Sequence, residues 1–592
     1  MSIDSRSSEP QPLAPQPPAP EPAANPPQPM QLQTRTGRII QAPHRYGFEQ
    51  PQWQLRDTPE RNDEDDDDTT LMAQALIAHS GLNPDEPKFY QQALNRPDSD
   101  KWISAMDDEL EALDKNKTWI IVDTPTNRKI VNCMWVFKIK HASDGSIERY
   151  KARLVARGDS QVAGTDYDEL FAPVVRFDSL RLLLAISASR QWRPRQLDVK
   201  TAFLYGLLKE EIYMRLPEQL RVDGKVCKLQ RCLYGLKQSP REWYARLTNY
   251  LLPYGFAISI FDPCVLIHES GNLFIAIYVD DISIFGPSDS LTERIISALQ
   301  TEFEVKDLGQ LHWLLGIKIE FTDSAITLSQ ETYIDKILDK YGMTDCNSLS
   351  TPLDPNIQLR EGTLEEQIDD ISVYQQIIGS LMYAVTGTRP DLAYAVTHLS
   401  QFNSNPSKLH LAAAKRILRF LKGTRDTKLT YLTKQPLILE SFCDASYGNC
   451  LDTRRSFWGY LFQLGSATIS WRSRRQRSVA TSTTEAEYMA LSNTSKHHLW
   501  TLRALSELLH LEIPAAIRCD NMGSIDIAEN PRINDRSKHI DIHYHAVREL
   551  LQSGQISIVH VDGKQNLADI CTKALPQAVR EPLCSRIFGS DK

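Results

Sequence analysis

From Lys101 the chain sets apolar residues at helical spacing, Trp102, Met106, Leu110 and Leu113, which predicts an amphipathic helix. The period then changes to two. Trp135, Phe137 and Ile139 alternate with Val136, Lys138 and Lys140, and after Asp144-Gly145 a second run returns as IERYKARLVAR; the pair reads as a β-hairpin. Successive strand side chains alternate sides, so Arg149, Lys151, Arg153 and Arg157 share one face of the returning strand. That basic stripe suits phosphates, with a solvated sheet face as the plain alternative. Further on, Ser239-Pro240-Arg241-Glu242 has the form of a capping box with Pro at the first helical position. Trp243, Leu247 and Leu251 then form the buried stripe of the helix it opens and read as scaffold. Residues 273–286, LFIAIYVDDISIFG, are two short apolar strands around adjacent aspartates. Residues 436–576 follow another order: strand, strand, strand, helix, strand, helix, strand, helix.

Residues 1–95 break both periods. They combine Pro-rich low complexity with the acidic run Asp63, Glu64, Asp65, Asp66, Asp67, Asp68, a composition that buries too little apolar surface to offset its ordering entropy. A disordered tail is expected, with 34–46 and 71–78 as stretches able to order on binding. The chain's net charge of -8 belongs to this segment: residues 1–100 hold 16 acidic against 8 basic residues, and the remainder carries 59 of each. Phosphate binding therefore has to come from local basic stripes. With 592 residues, several domains are expected, each with an apolar core. No window reaches the roughly 18 apolar residues of a membrane span, and the N-terminus lacks the apolar core of a signal peptide. The 10 cysteines are scattered without zinc spacing and read as reduced structural thiols.

Two carboxylate constellations carry the chemistry. Asp280 and Asp281 at the tip of a buried hairpin repel each other and raise their own pKa unless a cation compensates. Alone, such a pair is more often a polar turn. Asp198, ending the strand-like RQLDV, supplies a third carboxylate, and three can hold two metal ions for nucleotidyl transfer. In the C-terminal pattern, Asp444 lies at the end of the first strand, Glu485 begins a long helix, Asp520 ends the strand IRCD and Asp569 sits early in the final helix. Each alone is an ordinary cap or turn residue; together, in an α/β order, they can converge on one metal-binding edge. Arg472, Arg474, Arg475 and Arg477 can track a nucleic-acid backbone or form a solvated basic loop. His539, His543 and His545 lack a partner set and read as surface and core residues, and His560 receives no catalytic role.

The segments KARLVARG, FAPVVRFDSLR, LDVKTAFLYG, EEIYMRLPE, CLYGLKQSPREWY, YVDDI and LGIKI occur in the order seen in copia-type LTR retrotransposon reverse transcriptases. CDASYGN, STTEAEYMAL, CDN, SKHIDIHYH and ADICTKAL resemble the ribonuclease H domain of the same elements. The chain thus resembles the C-terminal part of that polyprotein over about residues 100–580. The resemblance implies an α+β and α/β multidomain fold: the disordered tail 1–95; right-hand polymerase fingers, palm and thumb over 96–347; a connection region over 348–435; and a ribonuclease H-like domain over 436–580. It implies Asp198, Asp280 and Asp281 as polymerase metal ligands, and Asp444, Glu485, Asp520 and Asp569 as those of the nuclease. Phe203 matches the aromatic that blocks a ribose 2′-hydroxyl, Lys151 and Arg153 resemble fingers residues facing the triphosphate, and Tyr234 to Lys237 resembles the loop beside the templating pair. Trp313 to Gly316 looks like the primer-gripping turn and 331–345 like a thumb helix. Two Mg²⁺ per site are implied, with Mn²⁺ as substitute. The implied partners are an RNA template, DNA primer, RNA/DNA hybrid, deoxynucleoside triphosphates, and integrase and capsid proteins of the same element. The implied location is cytoplasmic element particles or the nucleus, with no membrane. Without a protease motif or integrase-sized domain, a processed or truncated element product is expected. The competing reading is a catalytically inactive or domesticated remnant that binds nucleic acid or protein.

Overall fold

The computed structural model describes residues 85–141, 146–162, 164–167, 172–530 and 541–589. The segments 34–46 and 71–78, the Asp144-Gly145 turn and His539 lie outside the described residues.

The predicted first helix is Ser99–Lys115, with Trp102, Ala105, Met106 and Leu113 buried. It packs on the antiparallel hairpin Cys133–His141 and Ile147–Ala156, whose inward residues Phe137, Ala152 and Leu154 complete a core. Trp102 meets Phe137 and Tyr150 edge-on, with centroids 5.3 and 4.7 Å away. This core also takes in Ala93, on a helix Tyr90–Leu94, while the Glu86 carboxylate accepts the Ile139 N–H at 2.9 Å. Residues 85–95, read from composition as part of a disordered tail, are therefore folded against the hairpin. A single buried alanine and one acidic contact leave little trace in a composition count.

The next layer is a six-stranded antiparallel sheet in the order Val305–Gln310, Arg195–Val199, Asp281–Phe285, Phe274–Tyr278, Val265–His268, Phe256–Ile258. Both faces are covered, which is why the strand positions of 273–286 are apolar on both sides apart from Asp281 and the buried Ser283. Phe274 and Ala276 join the core under helix Phe177–Arg190, whereas Ile275 and Ile277 join the one under helices Ser239–Leu251 and Ser290–Glu302. Trp243, Leu247 and Leu251 are buried as the helical period requires. The capping box does not form. Gln238 occupies the cap position, the Ser239 hydroxyl donates to the Leu233 carbonyl at 2.6 Å, and Glu242 faces Lys209 at 3.4 Å.

A third sheet joins Trp313–Leu314, Ile317–Phe321 and Ala325–Ser329 to Leu429–Leu432. It ties the segment that leads into helix Glu331–Lys340 to strand Leu429–Leu432, about 90 residues on. The C-terminal sheet has the order Ala467–Arg475, Phe457–Leu464, Leu439–Ser446, Ala515–Cys519, Ile558–His560. Its first three strands are antiparallel and the last two run parallel to Leu439–Ser446, with helix Thr483–Leu509 in the crossover. This is the ribonuclease H-like arrangement implied by the sequence order. Asp569, however, lies in a 3₁₀ turn, Leu567–Cys571, and not early in a long final helix. Asn566 caps that turn through the Ala568 N–H, and the closing helix, Gln577–Phe588, starts only after Pro576.

One apolar core runs from helix Phe177–Arg190 through the connection helices into the C-terminal sheet. Arg181, 4% exposed, crosses the boundary: its guanidinium stacks 3.9 Å from the Trp471 ring and donates to the carbonyls of Ile469 and Thr386, each at 2.6 Å. Among the described residues no helix is long and apolar enough to cross a membrane.

Candidate active sites

The first site is built at the centre of the six-stranded sheet. Asp198 and Asp281 are register partners on adjacent strands, and Val279-Asp280 is the two-residue turn between the paired Tyr278 and Asp281. Burial pushes the Asp281 carboxyl up to about 6, reinforced by the negative charges of Asp280 and Asp198. Burial also raises Asp280, against the pull of Arg153. Lys151 is lowered by burial and by its basic neighbours Arg153, Arg149 and Lys140. Arg153 and Lys151, on the basic face of the hairpin, are close enough to Asp280 to favour its charged form. Arg157 leaves this face by pairing with Asp159 at 2.9 Å, beyond the end of the strand.

Tyr234 lies between the two groups. Arg153 sits 4.7 Å from its ring centroid, and Phe203, 9% exposed, meets it edge-on at 4.8 Å. Two glycines permit this approach. A Cβ on Gly235, at φ +89°, falls 2.1 Å from the Ala156 carbonyl oxygen, and one on Gly158 falls 2.1 Å from that of Gly235. The backbone of the Tyr234 loop can therefore rest directly on the end of the basic strand, where the Ala156 N–H donates to the Tyr234 carbonyl at 2.7 Å. Lys237 turns elsewhere, donating to the Tyr167 hydroxyl at 3.1 Å. The turn after Trp313 has Leu315 at φ +50° and Gly316 at φ +72°, and the Tyr383 hydroxyl donates to the Leu315 carbonyl.

The second site gathers carboxylates more tightly. Ligand atoms of Asp444, Asp520 and Asp569 lie within 4.8 Å of one another, as do those of Glu487, Cys519 and Asp520. Glu485 is not among them. Its carboxylate accepts the Thr481 N–H at 2.7 Å and the Thr481 hydroxyl, at the partly exposed start of the helix. Two residues on is about 200° around a helix, so Glu487 faces the sheet instead, where it accepts the Ala445 N–H at 3.1 Å. The signal was present in the sequence: Ala486, Glu487, Ala490, Leu491 and Thr494 form the buried stripe.

Burial, with the charges of Asp444 and its neighbours, pushes Glu487 up to about 10. The same causes raise Asp520, and carry Asp569 to about 7. Lys573, which the sequence reading passed over, stands 2.9 Å from Asp569 and 3.4 Å from Asp444. Burial opposes its charge, but the two carboxylates outweigh it and raise its pKa. Thr572 donates its hydroxyl to Asp444. In both sites the carboxylates supply hard oxygen donors in partly desolvated positions, a set that fits divalent cations of the magnesium class.

Residues 116–355 match the reverse transcriptase (RNA-dependent DNA polymerase) family. The chain is 40% identical over 517 residues to a retrovirus-related Pol polyprotein from transposon TNT 1-94 of Nicotiana tabacum, covering 85% of this chain and 39% of the relative. It is 40% identical over 525 residues to the Pol polyprotein from transposon RE1 of Arabidopsis thaliana, covering 87% and 35%. With the transposon Ty1-BR Gag-Pol polyprotein of Saccharomyces cerevisiae the identity is 28%, covering 84% and 29%. The chain therefore spans well under half the length of these relatives. Among solved structures it is similar to a foamy viral protease-reverse transcriptase in complex with double-stranded DNA, with TM-score 0.45, 12% identity and coverage of 85% and 79%. Residues 116–355 match the reverse transcriptase family, and the chain is related along most of its length to the Pol polyproteins of copia-type retrotransposons.

Proposed function

We propose that this chain copies RNA into DNA at Asp198, Asp280 and Asp281, and cleaves the RNA strand of the resulting hybrid at Asp444, Glu487, Asp520 and Asp569. The observation that carries the reading is that half-buried and buried carboxylates converge on two separate sheets, each set near a basic group: Arg153 and Lys151 in one, Lys573 in the other. Such sets hold Mg²⁺, with Mn²⁺ as a substitute. When bound, the ions activate the attacking hydroxyl or water and neutralise the leaving oxygen.

The chain's own residues do the rest. Asp198 and Asp281 fix the spacing of two carboxylates through the sheet register. Arg153, braced over Tyr234, and Lys151 present positive charge to the triphosphate beside Asp280. Phe203, held against Tyr234, closes the sugar side and excludes a ribose 2′-hydroxyl. In the second site the Ala445 N–H orients Glu487, while Thr572 and Lys573 orient Asp444 and Asp569. The substrates are an RNA template, a DNA primer, deoxynucleoside triphosphates and the hybrid itself. Integrase and capsid proteins of the same element are its partners, in cytoplasmic particles or the nucleus.

The test is primer extension on an RNA template together with fragment release from an RNA/DNA hybrid, each titrated with Mg²⁺ and Mn²⁺ and stopped by a chelator. Extension and release that both require the ion support the proposal. A folded chain that binds hybrid but does neither at any ion concentration is a non-catalytic remnant.

A further inference from the structure

The turn that presents Asp280 and Asp281 is built from an unfavourable residue. Val279 has φ +56°, a left-handed conformation that crowds a β-branched side chain and that glycine or asparagine adopts far more readily. Neither Val279 nor Asp280 belongs to a strand, so the ladder that pairs Tyr278 with Asp281 does not hold the Val279 carbonyl. The Trp243 indole does. Its Nε1–H donates to the Val279 carbonyl at 2.6 Å from a helix 36 residues upstream, and the ring is 1% exposed. Phe303 meets that ring edge-on at 5.4 Å and Tyr205 lies 6.0 Å away. On the other side of the turn, the Val199 N–H donates to the Asp280 carbonyl at 3.0 Å. A buried indole N–H needs an acceptor, and here that acceptor is the strained residue next to the carboxylates.

We propose that Trp243 is a positioning residue for polymerisation: its indole N–H holds the Val279 carbonyl and keeps the left-handed turn that aims Asp280 and Asp281. This rests on the reading of those two aspartates as polymerase carboxylates. Packing alone does not require the nitrogen, since a phenylalanine occupies much of the same space. Without the hydrogen bond, the turn relaxes toward conformations in which the two carboxylates no longer stand in register with Asp198. The effect falls on the chemical step more than on nucleotide binding, because the Trp243 hydrogen bond goes to the turn that carries the carboxylates.

The test is a double-mutant cycle with Trp243→Phe and Val279→Gly, measured by primer-extension kcat and by KM for the deoxynucleotide. Thermal midpoint and hybrid cleavage by the C-terminal domain report folding. Trp243→Phe should lower kcat about tenfold, with KM changed less than about twofold. In the Val279→Gly background, where the turn residue is unstrained, the same substitution should cost under about threefold. Unchanged kcat in Trp243→Phe overturns the proposal, and so does an equal loss in both backgrounds. If Trp243→Phe alone fails to fold, recovery of fold and extension in the double variant supports it, and a double variant equally unfolded overturns it. If the unsubstituted chain does not extend primers, the polymerase reading fails and this assignment with it; if it does, and only the cycle disagrees, the assignment alone fails.

Discussion

Glu487→Gln is the substitution that separates the two acidic residues at the start of the nuclease helix. The amide keeps the volume of the side chain and an oxygen to accept the Ala445 N–H, but removes a carboxylate beside Asp444 and Asp520. In the metal-free fold the Glu487 carboxyl holds its proton up to about pH 10, whereas the unfolded chain releases it near the ordinary 4.5. The folded state then binds more protons than the unfolded one, so stability falls as pH rises from 4.5 through 10. At pH 7.5, three pH units at about 1.36 kcal/mol each set a ceiling of about 4 kcal/mol on that loss. Glu487→Gln escapes it, so the metal-free urea midpoint should exceed the unsubstituted chain's at pH 7.5, with the difference vanishing toward pH 4.5. Cleavage should fall about a thousandfold or more, equivalent to about 4 kcal/mol, while primer extension is spared. Glu485→Gln, whose carboxylate bonds Thr481 among the described residues, should cleave at the unsubstituted rate. The reasoning is refuted if a folded Glu487→Gln chain still cleaves while Glu485→Gln does not, or if the stability difference grows as pH falls.

Three further outcomes are expected. Asp281→Asn should abolish primer extension and leave hybrid cleavage intact, since the two carboxylate sets lie on different sheets; a parallel loss of both activities would sink the separation. Phe203→Val should open the sugar side and raise ribonucleotide incorporation while deoxynucleotides are still used, and unchanged selectivity in an active variant returns Phe203 to a packing role. Deletion of residues 1–84 should preserve both activities, whereas deletion through residue 95 removes Glu86 and Ala93 from the fingers core and should lower the thermal midpoint and extension rate; equal behaviour of the two truncations contradicts the contacts.

Where one periodicity dominated, the fold was legible. The hairpin 133–156, the buried strands of 273–286 and the helix carrying Trp243 each announce themselves by spacing alone. The site was legible to the extent that its residues sit at strand ends: Asp198, Asp280, Asp281, Asp444 and Asp520 are where strand patterns place them. Glu485 failed for a specific reason. STTEAEY offers two glutamates, Glu485 in the first helical turn and Glu487 just past it, and an acidic residue in that turn is favourable simply by capping and the helix dipole. Glu485 takes that ordinary role; choosing between the two required reading the apolar stripe around Glu487 and not the helix start. Lys573 carries no signal of its own in ADICTKAL beyond its spacing of four from Asp569, which places the ammonium beside that carboxylate.

Nothing local in the sequence could have indicated how the two domains meet. Arg181 reads as one more basic residue in FAPVVRFDSLR, on a helix so apolar that its burial is unsurprising. Yet within five residues the C-terminal end of helix Ile371–Gly387 contacts both halves of the molecule. Tyr383 donates to the Leu315 turn, Val385 accepts from the Trp471 indole at 3.0 Å, and Thr386 and Gly387 accept from Arg181. A buried guanidinium left without these carbonyls would retain a large desolvation penalty, so the helix end, helix Phe177–Arg190 and strand Ala467–Arg475 favour one mutual arrangement. The spacing between the two carboxylate sets is therefore set by packed contacts and not by a flexible linker. That makes their separation a property of the fold, fixed through residues 68 to 288 positions apart that no window along the chain brings together.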